Sequence, residues 1–418
     1  MRCLHPCVKR ARAAALPAPA CANGKGAVME YRKIRADELI ASGRVMAQAF
    51  HAQGFREAEN ESGHEHEYTY GAVDEKGFMA ATLCAPPHSV NYFGQYVPMA
   101  AVGGVASLPE YRRGGHMRRL ITFMLQDAKA RGDKLAGLYP FSHIFYRKFG
   151  FEQCCRAQNL VIPMDKLKQF TYTGQAVQFF PGMDERPFAR IWKKYVERCN
   201  LACDREGRWQ HYLNNDPYQT RVYTYLWQDE TGSPEAFIIY TPTTHHGEPA
   251  YSVRHLAYTS KEALFGLLGF VHKLSPQGFY LKWLAPMSFE PYMLLKEPYE
   301  VERNIQCHGM ARLVDIVWCM ENRPWKQKGE ITFRVHSDVL EENNGVYRVT
   351  IGDTVKCEKL PDGDCDMTLS VQALSVLALG AQTVDTCLAY RDDIKIHKNG
   401  DLIRENFPLY SVQLTEPF

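Results

Sequence analysis

Val102-Gly-Gly-Val-Ala-Ser-Leu-Pro-Glu-Tyr-Arg-Arg-Gly-Gly-His-Met-Arg-Arg-Leu120 carries an apolar segment into a short loop and out again into a helix. Pro98 to Leu108 is a near-continuous apolar run of strand length. Beyond the loop, Met117, Leu120, Ile121, Met124, Leu125 and Ala128 recur at helical spacing and make one apolar face, and Arg131-Gly132 is a good stop. Glycines between a strand and a helix let the backbone approach a bulky anion. The loop N–H groups and the helix N-terminus present positive potential to it. Arg112 and Arg113 add full charges. A tight turn with solvated arginines would use the same letters. Two Arg, two Gly and a helix directly after them point instead to a diphosphate cradle without Walker A spacing.

Working outward, Tyr31–Arg35 reads as a strand, and Asp37 caps a helix to about Phe50. Tyr68–Val73 and Phe78–Cys84 read as strands joined by a turn, and Leu135–Tyr139 as the strand after the amphipathic helix. Residues 181–300 repeat this order with little shared identity: a helix at Glu185–Cys199, strands at Arg221–Trp227, Glu235–Tyr240 and Tyr251–Tyr258, a helix at Lys261–Lys273, and a strand at Gly278–Leu284. Downstream, Ile331, Phe333 and Val335 alternate with polar residues. Tyr347, Val349 and Ile351 do so after Asn343-Asn-Gly345, which predicts an antiparallel hairpin. A helix near Val371–Leu379 stops at Gly380, so the last part is α+β.

The chain has 418 residues and a net charge of +2, which argues against nucleic acid or a membrane surface as the main partner. No apolar run approaches a membrane span. Thirteen cysteines, an odd number in a long chain, read as reduced thiols of a cytoplasmic protein. GxGxxG, GxSxG and HExxH are absent. Asp362-Gly-Asp364-Cys-Asp366 begins like an EF-hand loop but lacks its Gly and its final Glu, and Cys199 and Cys203 have no second pair at zinc spacing. His64-Glu65-His66-Glu67 reads as a solvated loop rather than a metal cluster, so no metal is expected. Residues 1–28 are basic, acid-free and rich in Ala and Pro. As a signal peptide their apolar region is broken by Arg12, Pro17 and Pro19, and a transit peptide would share the basic, acid-poor composition; the reading preferred here is that they are disordered or untranslated, with folding starting at Met29.

At the loop the chain resembles the GNAT superfamily of acyl-CoA N-acyltransferases, whose phosphate loop reads Arg/Gln-x-x-Gly-x-Gly/Ala. Arg112 and Gly115 match, and Met117 departs from the small third residue. Phe141-Ser-His-Ile-Phe-Tyr-Arg-Lys-Phe-Gly-Phe-Glu152 resembles the segment that ends a GNAT core. The likeness is greatest to the enhanced intracellular survival (Eis) family. It implies an α+β chain of two tandem GNAT-like mixed-sheet domains (29–165 and 166–300) and a sterol-carrier-protein-like domain (301–418).

The resemblance implies an N-acetyltransferase with acetyl-CoA as co-substrate. Val105, Ala106 and Ser107 would hold the pantetheine through the backbone. Arg112, Arg113, Gly114, Gly115, His116, Met117 and Arg118 would take the pyrophosphate, with Phe141 and Ser142 also on the cofactor. Tyr146 would be the general acid, since a phenol of pKa ~10 carries a proton at neutral pH. The terminal carboxylate of Phe418 would be the base; an ordinary α-carboxyl is too acidic at ~3.3–3.7, and burial or a water relay would have to help. Glu416, with a side chain of pKa ~4.3, competes for that role. The acceptor would be a small-molecule amine, for which the family suggests multi-amines such as aminoglycosides. Glu57, Glu59, Glu61, Glu65, Glu67 and Glu416 are the acids available for an anionic pocket, although each of the first five, taken singly, reads rather as part of an ordinary exposed loop. The family also implies a homo-oligomer, a hexamer. A non-catalytic acyl-CoA or lipid carrier is the alternative, and it would need neither Tyr146 nor a free C-terminus.

Overall fold

The computed structural model describes residues 28–52 and 65–416. Residues 1–27, Glu57, Glu59, Glu61, His64 and Phe418 lie outside the described residues.

In the first unit, β1 (Met29–Lys33), β2 (Thr69–Asp74), β3 (Met79–Cys84), β4 (Pro87–Tyr92), β5 (Gln95–Ser107), β6 (Leu135–Leu138) and β7 (Glu152–Pro163) surround α1 (Leu39–Phe50), α2 (His116–Arg131) and the short α3 (His143–Arg147). The second unit contains β8 (Gln175–Gln178), α4 (Arg186–Val196), β9 (Cys199–Asn200), β10 (Tyr223–Gln228), β11 (Pro234–His245), β12 (Glu248–Tyr258), α5 (Lys261–His272) and β13 (Tyr280–Pro286). The chain then runs through β14 (Glu302–Leu313), β15 (Gly329–His336), β16 (Gly345–Ile351), β17 (Val355–Leu360), β18 (Met367–Ser370), α6 (Val371–Leu379), β19 (Ile394–Ile396) and β20 (Ser411–Val412).

Both GNAT-like halves share one mixed sheet, ordered β1-β2-β3-β5-β6-β14-β7-β13-β12-β11-β10-β8, with β4 paired to β5. The expected boundary at residue 301 puts β14 in the third domain, but β14 inserts between β6 and β7 of the first half, pairing antiparallel with both. Strand pairing places residues 302–313 by long-range hydrogen bonds that no local pattern announces. Five further strands form a separate sheet, β17-β16-β15-β18-β19, and β20 pairs with β9 in a two-stranded one. β15 and β16 pair antiparallel as the alternation predicts. Their link is a wider connection holding a 3₁₀ turn at Glu341–Asn343, not a two-residue hairpin loop.

The expected face of α2 is its buried face: Leu120, Ile121, Met124, Leu125 and Ala128 are all inaccessible. Each large apolar side chain there is worth ~1.5–3 kcal/mol relative to exposure. Gly132, at φ +98°, ends the helix in the left-handed conformation that costs glycine nothing. α6 is buried at every position but Gln372, because it lies between the two sheets. Ser375 Oγ on this helix accepts a hydrogen bond from the Leu313 N–H of β14 at 3.0 Å. A buried Arg312–Asp338 pair at 2.8 Å further ties the large sheet to the third unit. The tail beyond β19 returns to the centre, where Leu414 is fully buried beside Gly137 and Gly309.

Candidate active site

The site begins at a divergence of strands. β5 pairs parallel with β6 only over Met99–Val102 and Leu135–Leu138. Past Val102 its other edge stays on β3, with Gly103, Ala106 and Ser107 opposite Cys84, Thr82 and Ala81. The β6-facing edge of residues 103–107 is left unpaired inside the sheet. Unpaired backbone donors and acceptors at a sheet opening suit an extended, amide-bearing ligand added as a strand. Val105 packs against the core cluster that contains Leu138, Tyr146 and Phe149, whereas Ala106 belongs to the cluster on the α1 side. Leu108 N–H donates to Ala80 O, so in this antiparallel register Ala106 hydrogen-bonds toward β3 and the backbone groups of Val105 and Ser107 face the opening.

β5 delivers the chain to the loop. Arg113 (φ +64°) and Gly115 (φ +78°) are both left-handed, so consecutive N–H groups turn toward the N-terminus of α2. Arg112, Arg113, Gly114, Gly115 and Arg118 are exposed. Among the described residues, no carboxylate pairs with Arg112, Arg113, Arg118 or Arg119. Four unneutralised cations at one helix N-terminus make a strong anion cradle. The His116 imidazole is already engaged, with Nδ1 2.9 Å from the Tyr31 hydroxyl, and burial beside Arg119 lowers its pKa. Met117 packs its side chain into the first unit's core, which explains why a large residue is tolerated at that loop position.

Beyond β6, Ser142 caps α3, its Oγ accepting from Phe145 N at 3.3 Å, and Phe141 is exposed. Tyr146 on α3 is buried among Phe141, Phe145 and Phe151. Burial pushes its phenol pKa well up. Among the described residues its hydroxyl has no hydrogen-bond partner. The phenol is thus held protonated and uncommitted, which fits a donor to a leaving thiolate.

The C-terminal tail crosses between the two GNAT-like halves. Gln413 N donates to Asn200 O and Cys203 N to Thr415 Oγ1, each at 2.9 Å, and Tyr139 OH donates to Glu416 O at 2.8 Å. The Glu416 carboxylate accepts from Arg205 Nε at 2.6 Å and from the Tyr212 hydroxyl, with both ionic side chains essentially inaccessible. With both oxygens occupied, Glu416 is an anchor rather than a free base, and its charge is cancelled. Glu65 and Glu67 are exposed, and Glu65 lines a separate, smaller cleft beside His88 and Arg208. The described part of the expected glutamate set does not converge on one anionic pocket.

Beside the tail opens a cavity of about 1010 Å³, walled by Tyr139, Trp192, Tyr195, Tyr258, Trp283 and Leu414. Neither the cavity nor its two histidines is legible in the sequence, because its walls come from distant segments. His255 accepts from Arg205 at 3.1 Å, and burial beside arginines lowers its pKa to about 3. His308 sits at a bulge of β14 against Tyr139, with a buried Nδ1 that has no partner among the described residues. Both imidazoles are neutral at physiological pH. Among the described residues, three metal-type donors converge at the β11–β12 turn, where His245, His246 and Glu302 lie within 4.8 Å of one another. This group is not on the cavity wall.

Residues 30–154 match the acetyltransferase (GNAT) domain family, residues 201–313 match a second acetyltransferase (GNAT) domain family, and residues 318–395 match the sterol carrier protein domain family. The chain is a GNAT acyltransferase with an Eis-like fold. An uncharacterized N-acetyltransferase of Streptomyces avermitilis is 25% identical over 340 residues, covering 75% of this chain and 78% of the relative. The crystal structure of a GCN5-related N-acetyltransferase from Anabaena variabilis superposes with TM-score 0.82 at 21% identity, over 94% of this chain and all (100%) of that one. Eis1 from Mycobacterium abscessus gives TM-score 0.76 at 19% identity, over 93% of this chain and 100% of that one. This GNAT protein therefore has N-acetyltransferase activity, for which the domains imply acetyl-CoA as co-substrate and a small-molecule acceptor. Among the described residues no helix is long and apolar enough to cross a membrane.

Proposed function

We propose that the first GNAT domain holds acetyl-CoA along the free edge of β5 and transfers the acetyl group to a small-molecule amine lodged in the cavity beside the tail. The observation that carries this is the unpaired edge at residues 103–107 running into a loop of unneutralised arginines. Acetyl-CoA supplies the thioester. The backbone of Val105, Ala106 and Ser107 orients the pantetheine arm, and the loop from Arg112 to Arg118 takes the pyrophosphate. A backbone N–H of β5 directed at the thioester oxygen stabilises charge developing there.

Attack needs a neutral amine. The base in this reading is the terminal carboxylate of Phe418. Supporting this reading, the tail up to Glu416 lies beside Tyr139, whose hydroxyl donates to Glu416 O. Tyr146 then gives its proton to the thiolate as the C–S bond breaks. The test separates binding from chemistry. Arg112→Ala/Arg113→Ala is expected to weaken CoA binding and flatten its salt dependence in calorimetry. Tyr146→Phe is expected to keep CoA affinity while turnover falls about 10²–10⁴-fold. A tag appended after Phe418 is expected to abolish turnover with CoA binding retained. Unchanged CoA affinity in the double arginine variant would refute the cofactor site.

A further inference from the structure

The second GNAT-like domain repeats the strand divergence of the first. β12 pairs parallel with β13 only over Ala250–Val253 and Tyr280–Trp283. Beyond Val253 it remains paired to β11 alone, from His255 opposite Ile239 to Tyr258 opposite Ala236. The β13-facing edge of residues 254–258 is therefore open, as residues 103–107 are in the first domain. Past the opening the two domains differ. β12 runs through Thr259 into α5 with an ordinary serine cap, Ser260 Oγ accepting from Ala263 N at 3.1 Å. No arginine- and glycine-rich loop stands there to take a diphosphate. This second notch opens into the central cavity, since Arg254, Leu256 and Tyr258 from β12 and Leu284 and Pro286 from β13 all line it.

The charges around this notch have one sign in excess. Lys194, Arg198 and Arg254 line the cavity with a single acid, Glu197, and among the described residues none of the three cations has an acidic partner. Deeper in, Arg205 is almost wholly buried and cancelled in charge by Glu416, yet among the described residues its Nη1 lacks a hydrogen-bond partner. A buried guanidinium N–H without an acceptor is costly, and a bound oxyanion or carbonyl would satisfy it. The two neutral histidines add no negative charge, and the aromatic walls favour an apolar body. A polycation such as an aminoglycoside would enter against three like charges, each repelling it in a partly desolvated space.

Resting on the acetyl-transfer reading above, we infer that the degenerate notch of the second domain is the acceptor site and that the acceptor amine carries an anionic group, carboxylate or phosphate, on an apolar body. Arg254 and Lys194 hold the anion, and Arg205 Nη1 takes one of its oxygens. The amine end then points toward the tail and Tyr139. The second domain lacks a phosphate loop for a cofactor, and its opening serves the substrate instead.

The test measures thiol release from acetyl-CoA with the full chain and four acceptors: L-phenylalanine, O-phosphotyramine, L-phenylalaninamide and kanamycin. The expected order places one or both anionic amines at least tenfold above the amide in kcat/KM, with kanamycin lowest. Which of the two leads distinguishes a carboxylate from a phosphate. Arg254→Gln/Lys194→Gln is expected to cut the ratio of anionic acceptor to amide about tenfold, through KM rather than kcat, and raised salt is expected to cut it in the wild type. Kanamycin or the amide as preferred substrate would overturn the acceptor class and leave the acetyl-transfer reading standing. An unmoved ratio in the double variant would do the same. No thiol release with any acceptor, with CoA still bound, would overturn both.

Discussion

Replacing Glu416 with Gln tests how the tail is fixed. The Arg205–Glu416 pair has side-chain exposures of 0% and 2% and an N–O distance of 2.6 Å. Removing one partner of a buried pair strands the other, at about 3–5 kcal/mol, whereas an exposed pair would be worth about 0–1 kcal/mol. Two features favour the lower end. The amide oxygen still accepts from Arg205 Nε, and the guanidinium keeps the faces of Trp192 at 3.6 Å and Tyr212 at 4.3 Å. Against this, the amide NH₂ meets the Tyr212 hydroxyl, which must turn from donor to acceptor. A loss of about 3 kcal/mol is expected. Few bonds hold residues 411–416, so this loss is expected to appear as local release of the tail rather than global unfolding. Hydrogen exchange should show faster exchange at the Gln413 and Cys203 amides, which donate to Asn200 O and Thr415 Oγ1, with β5 and β6 unchanged. In thiol-release assays kcat/KM is expected to fall at least tenfold while CoA affinity stays within twofold. Arg205→Met/Glu416→Leu removes both charges and is expected to recover tail protection. Wild-type exchange together with full activity in Glu416→Gln would refute the anchoring argument. Wild-type exchange with lost activity and a vanished acid limb of the pH profile would make Glu416 the base.

Calorimetric titration is expected to give one CoA per chain, because Thr259-Ser260 replaces the phosphate loop in the second domain; a stoichiometry of two would contradict this. Burial beside arginines holds His88 and His255 down at about 4 and about 3. Both stay neutral when folded and charge near pH ~6.5 when unfolded, so below that pH the unfolded chain binds more protons. Stability is therefore expected to fall as pH drops from 7 toward 5. His255→Gln should reduce that slope in denaturant titrations at several pH values, and an unchanged slope in the variant would sink the assignment.

The helix of the phosphate loop is readable because its signal is local. The face from Leu120 to Ala128, the stop at Gly132 and the glycines of the loop all lie within one stretch of chain, and the buried face is the expected one. α6 is legible for the same reason, Gly380 ending it in the left-handed conformation at φ +75°. β4 and β7 escape a reading of local pattern. Pro87 and Asn91 weaken the pattern of the first. The second, Glu152–Pro163, is buried at most positions on both faces, so it lacks the alternation that marks a half-exposed strand. Met117 reads as a defect of the loop motif in sequence, whereas in the fold its side chain points into the core.

Sequence alone determined the elements with a short period: which faces are apolar, where glycine ends a helix, where arginines crowd a helix start, and the order of the three units. Tertiary structure decided what meets what. It moved residues 302–313 into the large sheet, set His308 at a bulge facing Tyr139, and paired Glu416 with Arg205, 211 positions earlier in the chain. It also opened a second notch lined by Lys194, Arg198 and Arg254, on which the proposed anionic acceptor rests. Those outcomes depend on strand pairing and ion pairing across long loops, where the energy of a contact is set by partners that no neighbouring residue specifies.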